Sequence, residues 1–230
     1  MAAVRGVDNV WLRGLLAQGE ADVRRYGAVL AGTVIIVAVY DVRLAAGVLA
    51  AGVALAATRG SRARRYHEVR RGADAELETA RMLALLPAAF TVLNDLVFRQ
   101  LDVDHVVVGP TGVWAIETKP FVGAYAEDGD AVLRNGRAVY HDPRLQAKAA
   151  AAAVSGLLRR ETGRLWWVEP LVCLPNASVD TGDAREARIV GAGQLLKRLR
   201  LAPVRLDADQ RDVIVAALSR VHRATLDRVA

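Results

Sequence analysis

The stretch "LDVDHVVVGPTGVWAIETKP", residues 101–120, constrains the chain more than any other. Two apolar, β-branched runs flank Gly109-Pro110-Thr111-Gly112, which reads as two strands joined by a tight turn. With Pro110 and Thr111 at the tip, Gly109 faces Gly112. Counting back from that pair sets Asp104 opposite Glu117 on one face, with Cβ atoms about 4.5–5.5 Å apart. A four-residue loop keeps this pairing, whereas a bulge would break it. Like charges directly opposed destabilise a sheet unless something cationic lies between them.

A divalent metal held by hard oxygen ligands meets that requirement. Lys119 lies two residues beyond Glu117 and therefore on the same face. A cation clamped by two carboxylates beside an ammonium group suits attack on phosphodiesters. The metal polarises a phosphoryl oxygen and lowers the pKa of a bound water, while the lysine orients that water or stabilises developing negative charge. The same residues also allow a plainer reading. Asp102 and Lys119 would form a cross-strand ion pair, with Asp104 and Glu117 merely near the strand ends.

Composition narrows the chemistry. The chain has 230 residues and a formal net charge of +6, enough for one medium domain plus something smaller. Its basic residues are almost all arginine, the lysines being Lys119, Lys148 and Lys197. Cys173 is the single cysteine, which leaves no disulfide framework and no cysteine-based zinc site. His67, His105, His141 and His222 lack the close pairing of a zinc-binding helix. A sequence pI near 10 favours an anionic partner, either nucleic acid or a membrane surface.

Residues 26–57 carry charge only at Asp41 and Arg43. A single span of that stretch would be roughly 48 Å long, against a hydrocarbon core of ~30 Å. Two helices joined at Asp41–Arg43 avoid burying both charges, which insertion scales place at about 2.5–3.5 kcal/mol each. Each apolar run is about 14–15 residues, short of the ~20 usually needed. Tyr26 and Tyr40 at the interface and a snorkelling Arg43 cover the shortfall. Arg13, Arg24 and Arg25 precede the first run, and Arg59, Arg62, Arg64 and Arg65 follow the second. The positive-inside rule then places both termini in the cytoplasm, so the chain is expected to be a multi-pass protein of the cell membrane. The expected organisation is an amphipathic interfacial helix over 1–25, a transmembrane hairpin over 26–57, a basic linker over 58–70 and a domain over 71–230. A soluble chain with 26–57 as a buried or dimerising helical hairpin is the competing reading.

Within the domain, a helix is expected over 74–86, with Asp74 as N-cap and Pro87 closing it. Strands follow at 90–98, 102–109 and 112–119, then a hairpin over 124–140 turning on Asn135-Gly136. A helix over 144–160 begins after Asp142-Pro143. A strand at 166–175, a helix at 193–200 and a final helix at 207–227 capped by Asp207 complete the series. Helix, strands, helix, strand, helix implies an α/β fold around a mixed central sheet.

The segments "GADAELETARMLALL", "FTVLNDL" and "VDHVVVGPTGVWAIETKPFVG" together resemble the nuclease-related domain family, a branch of the PD-(D/E)XK restriction-endonuclease-like superfamily. The resemblance covers roughly residues 71–180 and is most specific over "DHVVVGPTGVWAIETK". It implies an αβββαβ restriction-endonuclease-like core with a metal-dependent nuclease site using Mg²⁺ or Mn²⁺, and a nucleic-acid partner, DNA or RNA. By the same resemblance Asp104 is the metal-binding aspartate, and Glu117 and Lys119 are the acid and lysine of the E-x-K half-motif. Gln146 is the glutamine opening the helix after the sheet, and Glu76 is the first-helix glutamate that joins Asp104 and Glu117 at the metal. Val103 stands where the superfamily name places proline, and Ala75 where a glycine usually precedes the glutamate. Outside the resemblance, Glu76 also reads as an acid favoured by the dipole of a first helical turn, and Gln146 as an exposed helix residue. The leading expectation is a membrane-anchored, metal-dependent nuclease-like domain. The alternative is a non-catalytic binding or scaffold module at the cytoplasmic membrane face.

Overall fold

The computed structural model describes residues 3–5, 68–98, 101–181 and 187–229. The expected transmembrane hairpin over 26–57 lies outside them, as do the basic linker up to 67 and most of the expected interfacial helix. Of that helix only residues 3–5 are described, and they form a strand instead. No helix among the described residues is long and apolar enough to cross a membrane.

The fold is mixed α/β. A central sheet takes β1 (Ala3–Arg5), β2 (Thr91–Phe98), β3 (Leu101–Gly109), β4 (Gly112–Thr118), β8 (Val168–Leu174) and β10 (Ile189–Gly191) in that spatial order. The pairs β2–β3 and β3–β4 are antiparallel, while β4–β8 and β8–β10 are parallel. Helix α1 runs from 68 to 83, α2 from Arg144 to Thr162, α3 from Ala192 to Leu201 and α4 from Ala208 to Val229. In α2, Ala150, Ala151, Val154, Leu157 and Leu158 recur at helical spacing and bury against one face of the sheet with Ile214, Ala217 and Leu218 of α4. Leu83 of α1 and Leu195 and Leu199 of α3 cover the other face. Strand β4 shows why both faces are apolar: Val113 and Ala115 enter the first cluster, Trp114 and Ile116 the second.

The hairpin register agrees with the turn. Gly109 pairs with Gly112, and the ladder runs without a bulge to His105 opposite Ile116. The next step down would be Asp104 opposite Glu117. The final helix also begins where its cap requires: Asp207 Oδ1 accepts the Gln210 N–H at 2.8 Å while Gln210 Oε1 accepts the Asp207 N–H at 3.1 Å.

Two expectations need correction. Helix α1 continues upstream of Asp74 to at least 68, because Glu68, Arg70 and Arg71 are good helix formers and Asp74 does not act as a cap. The expected 124–140 hairpin is a meander of three strands, β5 (Gly123–Asp128), β6 (Ala131–Arg134) and β7 (Arg137–Ala138). Its second turn is Asn135-Gly136 with φ of 50° and 77°, as foreseen, but Gly129-Asp130 makes an earlier one. With β9 (Ala177–Asp180) these strands form a second sheet, β7-β6-β5-β9. Tyr125, Val132 and Val179 of that sheet bury against Ala147 of α2 and Val172 and Leu174 of β8.

Gly109 lies directly beneath the Phe90 ring, and a Cβ there would overlap Phe90 Cδ1 and Cε1. Phe90 is buried in the core between α1 and the sheet, so its ring has little room to move. Gly109→Ala should therefore lower stability by about 1–3 kcal/mol, a typical overpacking cost. A urea midpoint unchanged from wild type would mean that the ring swings aside and the hairpin is not clamped at that point.

Candidate functional site

The site forms where β3 and β4 part company. Asp95 in β2 has φ of 55°, a left-handed conformation that aspartate tolerates better than most residues. Asp95 and Asp104 both drop out of the β2–β3 ladder, between Asn94–His105 and Leu96–Val103. The kink also shifts the alternation. Leu93 and Leu96, three residues apart, enter the same core cluster, and so do their partners Val106 and Val103. Asp104 is thereby released from strand pairing, and its Oδ2 accepts the Thr118 N–H at 2.6 Å.

Glu117, at the end of β4, is almost wholly buried at 2% exposure. Lys119 Nζ donates to Glu117 Oε1 at 2.7 Å and to Gln146 Oε1 at 2.8 Å. Lys119 is itself anchored through its backbone N–H, which donates to the Cys173 carbonyl of β8 at 3.0 Å. The lysine is thus shared between the sheet and the first turn of α2. Its partner is Glu117, so the plainer reading of an Asp102–Lys119 pair is set aside. Glu117 Oε2 is buried and accepts no hydrogen bond.

Charge is unevenly supplied here. Asp104 is pushed up to about 8, chiefly by burial and then by the Glu117 charge, against a smaller opposing effect of the Thr118 N–H. Glu76, half-buried on α1, is raised to about 7 by burial and by Asp95, Asp102 and Glu117. Burial, then Asp102, also raises Asp95. Several carboxylates therefore share the nearby charge of Lys119. Deeper in the sheet, His105 is held well away from charge. Its Nδ1 lies 2.9 Å from Asn94 Oδ1, and burial lowers it to about 3.

Asp104, Glu117, Lys119 and Gln146 are brought together as the sequence anticipates. Glu76 reaches the group through its field, but among the described residues no three acid, histidine or cysteine side chains form a set that could hold a metal ion. The donors that fit a hard cation are Asp104 and the unpartnered Glu117 oxygen. Magnesium commonly uses one or two carboxylates and keeps several waters. Sequence reasoning missed Asp95. Its signal was the polar Asn94-Asp95 dipeptide inside an otherwise apolar strand.

Residues 71–175 match the family model of the nuclease-related domain. No curated protein and no solved structure matches the chain.

The raised Asp104 gives a signed expectation. A carboxyl whose folded pKa lies above its unfolded value of about 3.9 contributes stability at low pH that is lost as pH rises through the folded value. Without divalent metal, the protein should lose stability between about pH 4 and pH 8. Asp104→Asn should flatten that slope, since its amide oxygen still accepts the Thr118 N–H. Thermal midpoints measured in chelator across that range check it, and an equally steep slope in the variant would refute the assignment.

Proposed function

We propose that the domain is a divalent-metal-dependent nuclease with a restriction-endonuclease-like core, cleaving phosphodiester bonds in nucleic acid. The observation that carries this reading is Glu117. One of its buried oxygens is held by Lys119 and the other is left without a partner, beside an Asp104 whose ionisation the site resists. A cation between the two carboxylates would relieve both. The match over residues 71–175 supports a nuclease-like chemistry.

In this reading Asp104 and Glu117 hold Mg²⁺ or Mn²⁺. When bound, the ion would supply Lewis acidity toward a phosphoryl oxygen and a more acidic water. Lys119 presents a compact positive charge where negative charge develops, and Gln146 fixes the ammonium from α2. Glu76 exchanges a proton near neutral pH and adds negative charge from α1 within the electrostatic reach of Asp104 and Glu117. The net charge of +6 favours a polyanionic substrate. Residues 26–57 are proposed to tether the domain to the cytoplasmic face of the cell membrane, with both termini inside.

Cleavage of mixed DNA and RNA in Mg²⁺ or Mn²⁺ tests the mechanism. Lys119→Ala should lower turnover by two to three orders of magnitude, roughly the ~3–4 kcal/mol of one preorganised electrostatic contact. Lys119→Arg should not rescue it, because a planar guanidinium cannot occupy the same compact position between Glu117 and Gln146. Wild-type activity in Lys119→Ala would sink the mechanism. No cleavage by any form would leave the non-catalytic binding or scaffold module.

Metal binding has its own readout. Added Mg²⁺ or Mn²⁺ should raise the thermal midpoint, since a ligand that binds only the native state stabilises it. Asp104→Asn should abolish the rise. The tether is checked by fractionation: the full chain should pellet with membranes and resist extraction by high salt. Recovery in the aqueous phase without detergent would remove it.

A further inference from the structure

A cavity of about 250 Å³ lies at the end of the central sheet away from the acid–lysine group. Its floor is the start of β4 and β8, where Trp114 sits beside Glu169 in register, and its walls are residues 165–167 and the segment before α4. Glu117 lies three residues further along β4 than Trp114, on the order of 10 Å, and its side chain points to the opposite face.

The lining is unusual for simple packing. Trp167 is 70% exposed, yet its indole N–H donates to Glu169 Oε2 at 2.8 Å, which holds the ring in one orientation. Leu165 beside it is also exposed. The charged residues lining the cavity are Glu169, Arg198 and Arg205. Arg198 is nearly buried, with Nη2 3.8 Å from Glu169 Oε1 and its guanidinium 4.7 Å from the centre of the Trp114 ring. Arg205 is half exposed, with Nη1 3.7 Å from Glu169 Oε2, and its backbone N–H is tied to the Pro110 carbonyl at 2.8 Å. One carboxylate thus faces two guanidinium groups, so the wall carries net positive charge.

A fixed, exposed indole offers a stacking surface, and an accessible arginine beside it offers an anion contact. A simple anion would leave the indole without a role, and an apolar ring would leave the charge without one. A nucleotide uses both, because every base has a π-face and each carries a phosphate. The space is at the small end of ligand pockets and suits one such unit. We propose that this cavity binds a single nucleotide unit, its base against Trp167 and its phosphate toward Arg205. The unit is either a free mononucleotide or an unpaired residue of a strand, and the site does not depend on the nuclease reading.

Calorimetric titration of the full-length protein in chelator tests this, using AMP, UMP, adenosine, inorganic phosphate and a short single-stranded oligonucleotide. AMP or UMP should bind more tightly than either adenosine or phosphate alone. Trp167→Ala should weaken that binding roughly five- to hundredfold, the range for loss of one base stack. Arg205→Ala should weaken AMP while leaving adenosine unchanged. Lys119→Ala should alter neither, which separates this site from the acid–lysine group. Binding by the oligonucleotide but not by mononucleotides, weakened by Trp167→Ala, assigns the unit to a strand. Phosphate binding as tightly as AMP overturns the proposal. So does affinity indifferent to both Trp167→Ala and Arg205→Ala, or no binding by any probe.

Discussion

Two carboxylates meet at the end of a buried hairpin with one ammonium group between the sheet and a helix, and the site depends on that imbalance. Glu117 is buried deeply enough that its charge must be answered locally. Lys119 answers it at one oxygen, and Gln146 holds Lys119 in place. Asp104 is close enough for Glu117 to oppose its ionisation. Such a group is costly with both carboxylates ionised, and the metal binding proposed above would lower that cost by placing a cation between them.

The backbone makes this arrangement possible by interrupting its own ladder. A regular β2–β3 pair would keep Asp104 in the pleat with its backbone bonded to Asp95. The left-handed turn at Asp95 breaks the pairing at that one step and restores it beyond, so that Leu96 and Val103 still reach the core. Residues in sparsely populated backbone regions cluster at functional sites, where the surrounding structure holds them. Here the holding structure is the buried Asn94–His105 pair on one side of the kink and the apolar Leu96–Val103 pair on the other.

Helix α2 needs an anchor of its own, because Gln146 sits in its first turn. The buried guanidinium of Arg144 supplies one. It bonds both oxygens of Asp142, Glu127 Oε1 at 3.1 Å and the Asp130 carbonyl. Glu127 in turn accepts from the Arg188 side chain and backbone. The second sheet, the helix start and the entry to β10 are therefore tied by one charged network. Burying such charges is favourable only when each is paired and hydrogen-bonded, as these are. The second sheet thus acts as a brace for the helix that presents Gln146.

Local chemistry alone determined the hairpin register, the α2 start after Asp142-Pro143, the Asp207 cap and the Asn135-Gly136 turn. Each of these rests on interactions between residues close in the chain, which is why Asp104, Glu117 and Lys119 could be placed on one face beforehand. The resemblance, in turn, singled out Gln146 and Glu76. Tertiary structure decided what depends on distant partners. It chose Glu117 over Asp102 for Lys119, because the β8 carbonyl of Cys173 fixes the lysine backbone beside Glu117. It converted the 124–140 hairpin into part of a second sheet, because β9, about fifty residues beyond β5, offers it a parallel edge. It brought Glu76 of α1 within the electrostatic reach of Asp104 and Glu117, a proximity that depends on how α1 packs on the sheet. And it built the Trp167 cavity from segments whose proximity no local pattern encodes.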